Sequence, residues 1–280
     1  MIKSTVLTLA LATASLAAPS TTNGTSWPGW TNIKRLFVFG DSYTQTGFNP
    51  ASSQPNPSNP FGNPPYPGWT SSNGPNWLGF LTTLYNRSTI LTYNFASGGA
   101  TLDSALVAPY APTVISVKDQ IRTQFLPLYG SSPSTAPWTS NSSLFAFFIG
   151  INDVGNGWYQ PNSSTLYTAI FSTYATLLDQ IYATGARNFL FLNVPPVNLS
   201  PLITNQNDGG YATEYEGRVI VDWNERLRDM IGVFEKEHAD VKIFLHDTNA
   251  LFKNVLSHPG TLQQTVGLRN VTGYCKAYAK

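Results

Sequence analysis

The stretch Arg35-Leu36-Phe37-Val38-Phe39-Gly40-Asp41-Ser42-Tyr43 decides the architecture of this chain. Leu36 to Phe39 form an unbroken apolar run, the pattern of a parallel strand covered on both faces. Gly40 permits a sharp turn at its end, and Asp41 and Ser42 are residue types that cap the start of a helix. The Ser42 hydroxyl then lies beyond the carboxyl end of a strand, the edge where open α/β sheets keep their sites. Its backbone N–H lies at a helix N-terminus, where it can stabilise a developing oxyanion. Taken alone, Gly-Asp-Ser is also what an ordinary strand-to-helix turn carries, so the rest of the chain must decide.

Downstream the same grammar recurs. Trp77–Tyr85 has the pattern of a short amphipathic helix, and Ile90–Phe95 that of a second strand, running into Ala96-Ser97-Gly98-Gly99-Ala100. Val117–Leu128 predicts a helix with Ile121, Phe125 and Leu128 on one face. Leu144–Ile149 is a third apolar strand, ending in Gly150-Ile151-Asn152-Asp153. A helix over Leu166–Thr184 and a strand over Asn188–Val194, broken by Pro195-Pro196, follow. Tyr211–His238 is a long amphipathic helix and Val241–Leu245 a fifth strand. Strands alternating with helices predict an α/β fold, a three-layer α/β/α sandwich around a five-stranded parallel sheet.

Two segments stand outside that alternation. Asn49–Gly74 is a long loop rich in Pro, Gly, Asn and Ser, a length that tends to be functional or disordered. Its aromatic residues Phe61, Tyr66 and Trp69, with Trp77 beside it, either line a cleft near Ser42 or pin the loop to the core. Ser131–Ser143 is a Ser/Pro-rich surface loop.

Residues 1–18 carry a charged Lys3, an apolar run and small residues at Ser15–Ala18, the pattern of a secretory signal peptide. Residues 19–33 are a polar lead-in, and 34–280 form the folded domain. No later segment reaches the ~20 apolar residues of a membrane span. A soluble, extracellular protein is therefore expected. A formal net charge of +1 gives no electrostatic footprint for nucleic acid or an anionic membrane. Asn23, Asn86, Asn141, Asn162, Asn198 and Asn270 begin glycosylation sequons. The one cysteine, Cys275, is a free thiol or pairs outside this sequence. No His/Cys/Asp cluster has metal-ligand spacing and no glycine fingerprint cradles phosphate, so neither metal nor cofactor is expected.

The three strand ends combine into one chemistry. Ser42 is the candidate nucleophile of an acyl transfer. The Ser42 and Gly99 backbone N–H groups, with the Asn152 side-chain amide, make a three-donor oxyanion hole. Glycine suits position 99 because no Cβ keeps substrate from its N–H. Asparagine suits position 152 because its amide donates without adding a charge.

These blocks, Phe39-Gly40-Asp41-Ser42, Asn94-Phe95-Ala96-Ser97-Gly98-Gly99 and Gly150-Ile151-Asn152-Asp153, resemble the first three of the GDSL, or SGNH, hydrolases. Tyr43 in place of leucine, the long loop and Asn270-Val271-Thr272-Gly273-Tyr274-Cys275 are similar to the fungal branch classed as family 16 carbohydrate esterases. The resemblance implies a flavodoxin-like fold and a secreted, metal-free serine acetylesterase acting on acetylated sugars, including hemicellulose fragments. It gives Ser42, Gly99 and Asn152 the roles assigned above.

The family's general base is a histidine placed three residues after an aspartate and followed by proline. This chain has three histidines. His238 lies in a charged run and is expected to be solvated; His246 is expected to be structural. His258 precedes Pro259, but Val255 stands where the aspartate should be, so it is at best a displaced base. The expectation is a chain that ends before the base block and the helix after it. Such a form would be poorly active and marginally stable, with apolar surface uncovered on one sheet face. Two other readings remain: a base-less secreted carbohydrate-binding pseudoenzyme, and a lipase-like esterase on the same fold.

Overall fold

A computed structural model describes residues 27–160 and 163–274. The signal-peptide segment, Asn23, Asn162 and Cys275 lie outside the described residues. Five parallel strands form one sheet: β1 (Arg35–Gly40), β2 (Leu91–Asn94), β3 (Ser143–Phe148), β4 (Asn188–Leu192) and β5 (Lys242–His246). Their order is β2-β1-β3-β4-β5, so the chain reverses its direction of travel between β1 and β3. That reversal opens a crevice at the carboxyl ends of β1 and β3, where doubly wound sheets bind ligands.

The strands sort their side chains by type. Phe37, Phe39, Tyr93, Phe145, Phe147, Phe189 and Phe191 point to one face, and Leu36, Val38, Leu144 and Ala146 to the other. In register, Phe37 stacks on Tyr93 at 5.0 Å and on Phe145 at 5.1 Å, while Phe39 stacks on Phe147 at 5.2 Å. Such cross-strand aromatic pairs each add about 0.5–1.5 kcal/mol beyond area burial. Over this face lie the long helices α5 (Ser163–Ala183) and α7 (Tyr211–Glu237). Beside them runs a helical stretch made of α2 (Val117–Asp119), a π-helical segment Gln120–Phe125 and α3 (Leu126–Tyr129).

The opposite face is covered over β2, β1 and β3 by α1 (Trp77–Thr83), Trp27 and Trp30. Near β5 it is open: Phe244 is 40% exposed, with Trp27 edge-on to it, and an apolar groove runs past Leu190 and Leu245. Three shorter helices complete the chain, α4 (Ile151–Gly157), α6 (Pro201–Thr204) and α8 (Thr248–Ser257). None of the described helices is long and apolar enough to cross a membrane.

Most predicted elements are present within a few residues. The helix over Val117–Leu128 contains the π segment, and α4, α6 and α8 are additions. The Asn49–Gly74 loop has one isolated bridge, Asn56 to Asn59, and is held by side-chain amides such as Asn63, which donates to the Asn49 and Ser53 carbonyls. Phe61 is buried and Trp77 bonds into the core, so these two rings pin the loop, whereas Trp69 is 72% exposed. Asn141 and Asn270 are exposed; Asn198 instead spends its side-chain N–H on the Thr213 carbonyl.

Candidate active site

The Ser42 turn is fixed by amides rather than charges. Gln120, buried in the π segment, accepts from the Gly40 N–H at 3.0 Å and donates to the Gly40 carbonyl at 2.8 Å. π segments recur at functional positions, and here the extra residue lets one side chain satisfy both backbone groups at the strand end. A Cβ on Gly40 would strike the Phe148 carbonyl of the neighbouring strand, so β1 and β3 close on each other only with glycine there.

Beyond Ser42, Asn76 donates to the Thr44 and Gln45 carbonyls, Asn94 donates to the Thr44 carbonyl and Thr46 hydroxyl, and Trp77 donates to the Thr44 hydroxyl. The Gln45 side chain accepts from the Gly98 N–H and donates to the Trp69 carbonyl at 3.2 Å. It thereby ties together the nucleophile turn, the glycine turn and the long loop.

Ser42 and Asn152 line one cleft of about 430 Å³, together with Tyr43, Ile151, Val197 and Ile203. Asn152 enters in the first turn of α4, which follows β3 directly. Its side-chain N–H donates to the Ala100 carbonyl at 2.8 Å, which leaves the second N–H of the same nitrogen free. Gly99 lies beside Gly98 with φ +82, and a Cβ there would strike the Tyr110 ring. Gly99 does not itself line the cleft; it is tied to the Ser42 turn through Gln45 and Gly98. Neither the Ser42 N–H nor the Gly99 N–H has an acceptor among the described residues.

Two buried carboxyl groups flank this arrangement. Burial pushes Asp41 up to about 7, against the Tyr43 N–H that its carboxyl accepts; nearby Asp153 pushes it further up. Burial likewise pushes Asp153 up to about 7, although both of its oxygens accept from the Leu102 N–H. Glu216, on α7, is 1% exposed, lines the Ser42 cleft, and burial pushes it up to about 7. Glu216 is absent from the sequence reading. Its signal was there: a carboxylate inside the apolar stripe Ala212, Val219, Ile220, Trp223, Leu227 of an amphipathic helix.

None of the three histidines lines this cleft. His238, expected to be solvated, is instead stacked on Tyr182 at 3.9 Å and paired with Asp179 at 3.1 Å, because its helix end packs back against α5. His246 ends β5 and faces the apolar groove. His258 is exposed at the end of α8.

The profile of the GDSL-like lipase/acylhydrolase family matches residues 36–279. An acetylesterase of Thermothelomyces thermophilus is 42% identical over 228 residues, 81% of this chain and 75% of that protein. An acetylesterase of Hypocrea jecorina is 27% identical over 275 residues, covering 88% of this chain and 77% of that protein. Among solved structures, an acetyl xylan esterase from Geobacillus stearothermophilus superposes with a TM-score of 0.47 at 16% identity, covering 83% of this chain and 86% of the other.

Proposed function

The chain belongs to the GDSL-like lipase/acylhydrolase family and is a carboxylic ester hydrolase, and from that premise we propose that Ser42 is its nucleophile and acetylated sugars its substrates. The observation that carries the reading is the meeting of Ser42 and Asn152 in one cleft at the sheet's reversal point, with an Asn152 N–H held in place yet unspent. The Ser42 oxygen attacks the ester carbonyl carbon, and the carbonyl oxygen becomes an oxyanion; with no described histidine lining the cleft, the hydroxyl proton passes to water. That oxyanion takes hydrogen bonds from the Ser42 N–H, the Gly99 N–H and the Asn152 amide, all neutral donors. Collapse of the tetrahedral adduct expels the alcohol, which takes a proton from water, and leaves acetyl on Ser42; a second water then releases acetate and restores the hydroxyl. The acetyl preference is supported by two relatives named acetylesterase. We also propose secretion, supported by the leader-like pattern of residues 1–18.

Hydrolysis of p-nitrophenyl acetate and octanoate by the chain and by Ser42→Ala tests the reading. Slow turnover of the acetate that disappears in the variant, with still less turnover of the octanoate, is expected. Equal rates in chain and variant would remove Ser42 from the mechanism, and a preference for octanoate would favour a lipase-like enzyme.

A further inference from the structure

The Ser42 cleft contains two polar side-chain atoms that its proposed chemistry does not use. Glu216 Oε2 and Ser200 Oγ are buried and have no hydrogen-bond partner, and both residues line the cleft beside Ser42 and Asn152. Glu216 sits on α7, a helix anchored along its length in the core, and Ser200 precedes α6. Glu216 cannot move away with its helix cheaply, because α7 is also clamped to the end of β4. Asn224 accepts from the Val194 N–H and donates to the Val194 carbonyl, both at 2.9 Å. Gly155, which lines the same cleft, lies beside the carboxyl: a Cβ there would stand 3.9 Å from Glu216 Oε1, an ordinary contact distance.

Burying a carboxyl group without a partner destabilises a fold, and native structures seldom leave one so. Both side chains border the cleft, so a rotation about the side-chain bonds of Glu216 or Ser200 brings its unpartnered oxygen to what enters there. Its walls are apolar (Ile151, Val197, Ile203), so the two polar atoms single out groups that bond in both directions. With burial pushing it to about 7, the Glu216 carboxyl exists near neutral pH in a form that donates and a form that accepts. A hydroxyl suits both forms, since it accepts from the first and donates to the second. A second hydroxyl a short distance away would meet Ser200.

We propose that Glu216 and Ser200 form a hydroxyl-recognition subsite, through which this esterase selects esters of polyhydroxylated alcohols over esters of simple alkanols. The proposal rests on the reading that Ser42 attacks the ester in this cleft. Glu216 acts here as a specificity-determining residue, binding the alcohol portion of the substrate and not the reacting carbonyl.

The test compares 1-acetylglycerol with propyl acetate, which share the acetyl group and the three-carbon alcohol and differ only in hydroxyls. The measured quantity is the ratio of their kcat/KM values in the chain, Glu216→Leu, Glu216→Gln and Ser200→Ala. Glu216→Leu is expected to lower the ratio about 10- to 100-fold, as loss of a bond to an ionisable buried group does. Glu216→Gln, which can still donate and accept, is expected to keep most of it, and Ser200→Ala to lower it about threefold to tenfold. An unchanged ratio in Glu216→Leu overturns the proposal. Equal loss on both esters also overturns it, since that marks a proton acceptor or a structural residue.

If the chain hydrolyses neither ester, the Ser42 reading fails separately. NMR titration of Ser42→Ala with a monoacetylated methyl pentopyranoside still decides the subsite: binding at least tenfold weaker once Glu216→Leu is added supports it. Equal affinity, or no binding in Ser42→Ala, overturns it.

Discussion

Replacing Gly150 by alanine should be among the most damaging single-methyl changes in this protein. Gly150 has φ +124, a backbone region that residues with a Cβ rarely enter. Adopting it costs an alanine about 1–3 kcal/mol. The added Cβ would also lie 2.5 Å from Trp223 Nε1 and 2.6 Å from its Cζ2. That indole has no room to yield, being fully buried, edge-on to Tyr167 at 5.7 Å and tilted against Phe171 at 4.9 Å. Overpacking of this kind adds about 1–3 kcal/mol. A total of about 2–6 kcal/mol lowers Tm by roughly 4–24 °C for a domain of this size. Activity should fall as well, because Gly150 caps the helix whose first turn holds Asn152, and small displacements of a positioned donor cost about 100-fold. Thermal melts of Gly150→Ala, Trp223→Leu and the double variant check the cause. Trp223→Leu removes the indole atoms that the Cβ meets, so the double variant should recover at least about 1 kcal/mol relative to additivity. A Tm within 2 °C of the parent for Gly150→Ala, or strict additivity, would refute the steric reasoning.

Asn152→Ala should cut kcat on p-nitrophenyl acetate about 100- to 1000-fold with little change in KM, measured by steady-state kinetics at constant pH. Gln120→Leu strands the Gly40 N–H in the core, while the Gly40 carbonyl keeps the Ser97 N–H, and should cost about 1–3 kcal/mol in urea unfolding. The pH dependence of stability has a definite sign. Asp41 and Asp153 are raised from 3.8 to about 7 on folding, so between about pH 4 and pH 7 the folded chain holds more protons than the unfolded one. Stability therefore falls as pH rises through that window, by about 1.4 kcal/mol per pH unit for each extra proton held. Asp240 and Asp247 are lowered and act in the opposite sense, losing their contribution on acidification below about pH 4. Melting temperatures between pH 4 and 8 should thus peak near the acid end, and Asp153→Asn should flatten the slope; a Tm that rises steadily from pH 5 to 8 would contradict it.

The sheet was legible in the sequence because each strand is a short apolar run ending in small or polar residues, as Leu36–Gly40 and Leu144–Gly150 show. The candidate site residues were read from the same grammar: Ser42, Gly99 and Asn152 all follow strand ends. What stayed hidden depends on contacts between distant segments. Gln120 looks like any helix surface residue until its backbone register shifts into a π segment and carries it to Gly40, 80 positions away. His238 sits among Glu235, Lys236 and Glu237, and nothing local announces Asp179 or Tyr182. Phe61 and Trp77 were ambiguous because a ring that pins a loop and a ring that lines a cleft have the same composition. Glu216 was legible in principle, since a charge inside a helix's apolar stripe needs a reason, yet only the cleft supplies one.

The chemistry of the site and the way the turn is held follow from one requirement. In the proposed mechanism, an oxyanion developing beside Ser42 is stabilised only if no fixed negative charge faces it. The turn carrying Ser42 nevertheless needs several firm anchors, and anchoring it with ion pairs would have placed carboxylates there. The chain uses Asn76, Asn94, Gln45 and Gln120 instead, four neutral amides that hold backbone groups from both sides. Where carboxyl groups do occur, at Asp41, Asp153 and Glu216, burial raises each to about 7, so that below this pH the uncharged form dominates. Substituting one of these amides by an acid should therefore harm catalysis more than stability. Asn94→Asp keeps an acceptor for the Ala96 N–H but trades the donated bonds to Thr44 and Thr46 for a charge. It should lower kcat more than Asn94→Ala does at pH 8, and the difference should shrink as the pH is lowered and the new carboxyl takes up a proton. Kinetics of the two variants from pH 5 to 8 measure this directly, and a pH-independent ratio between them would show that charge at this turn does not matter.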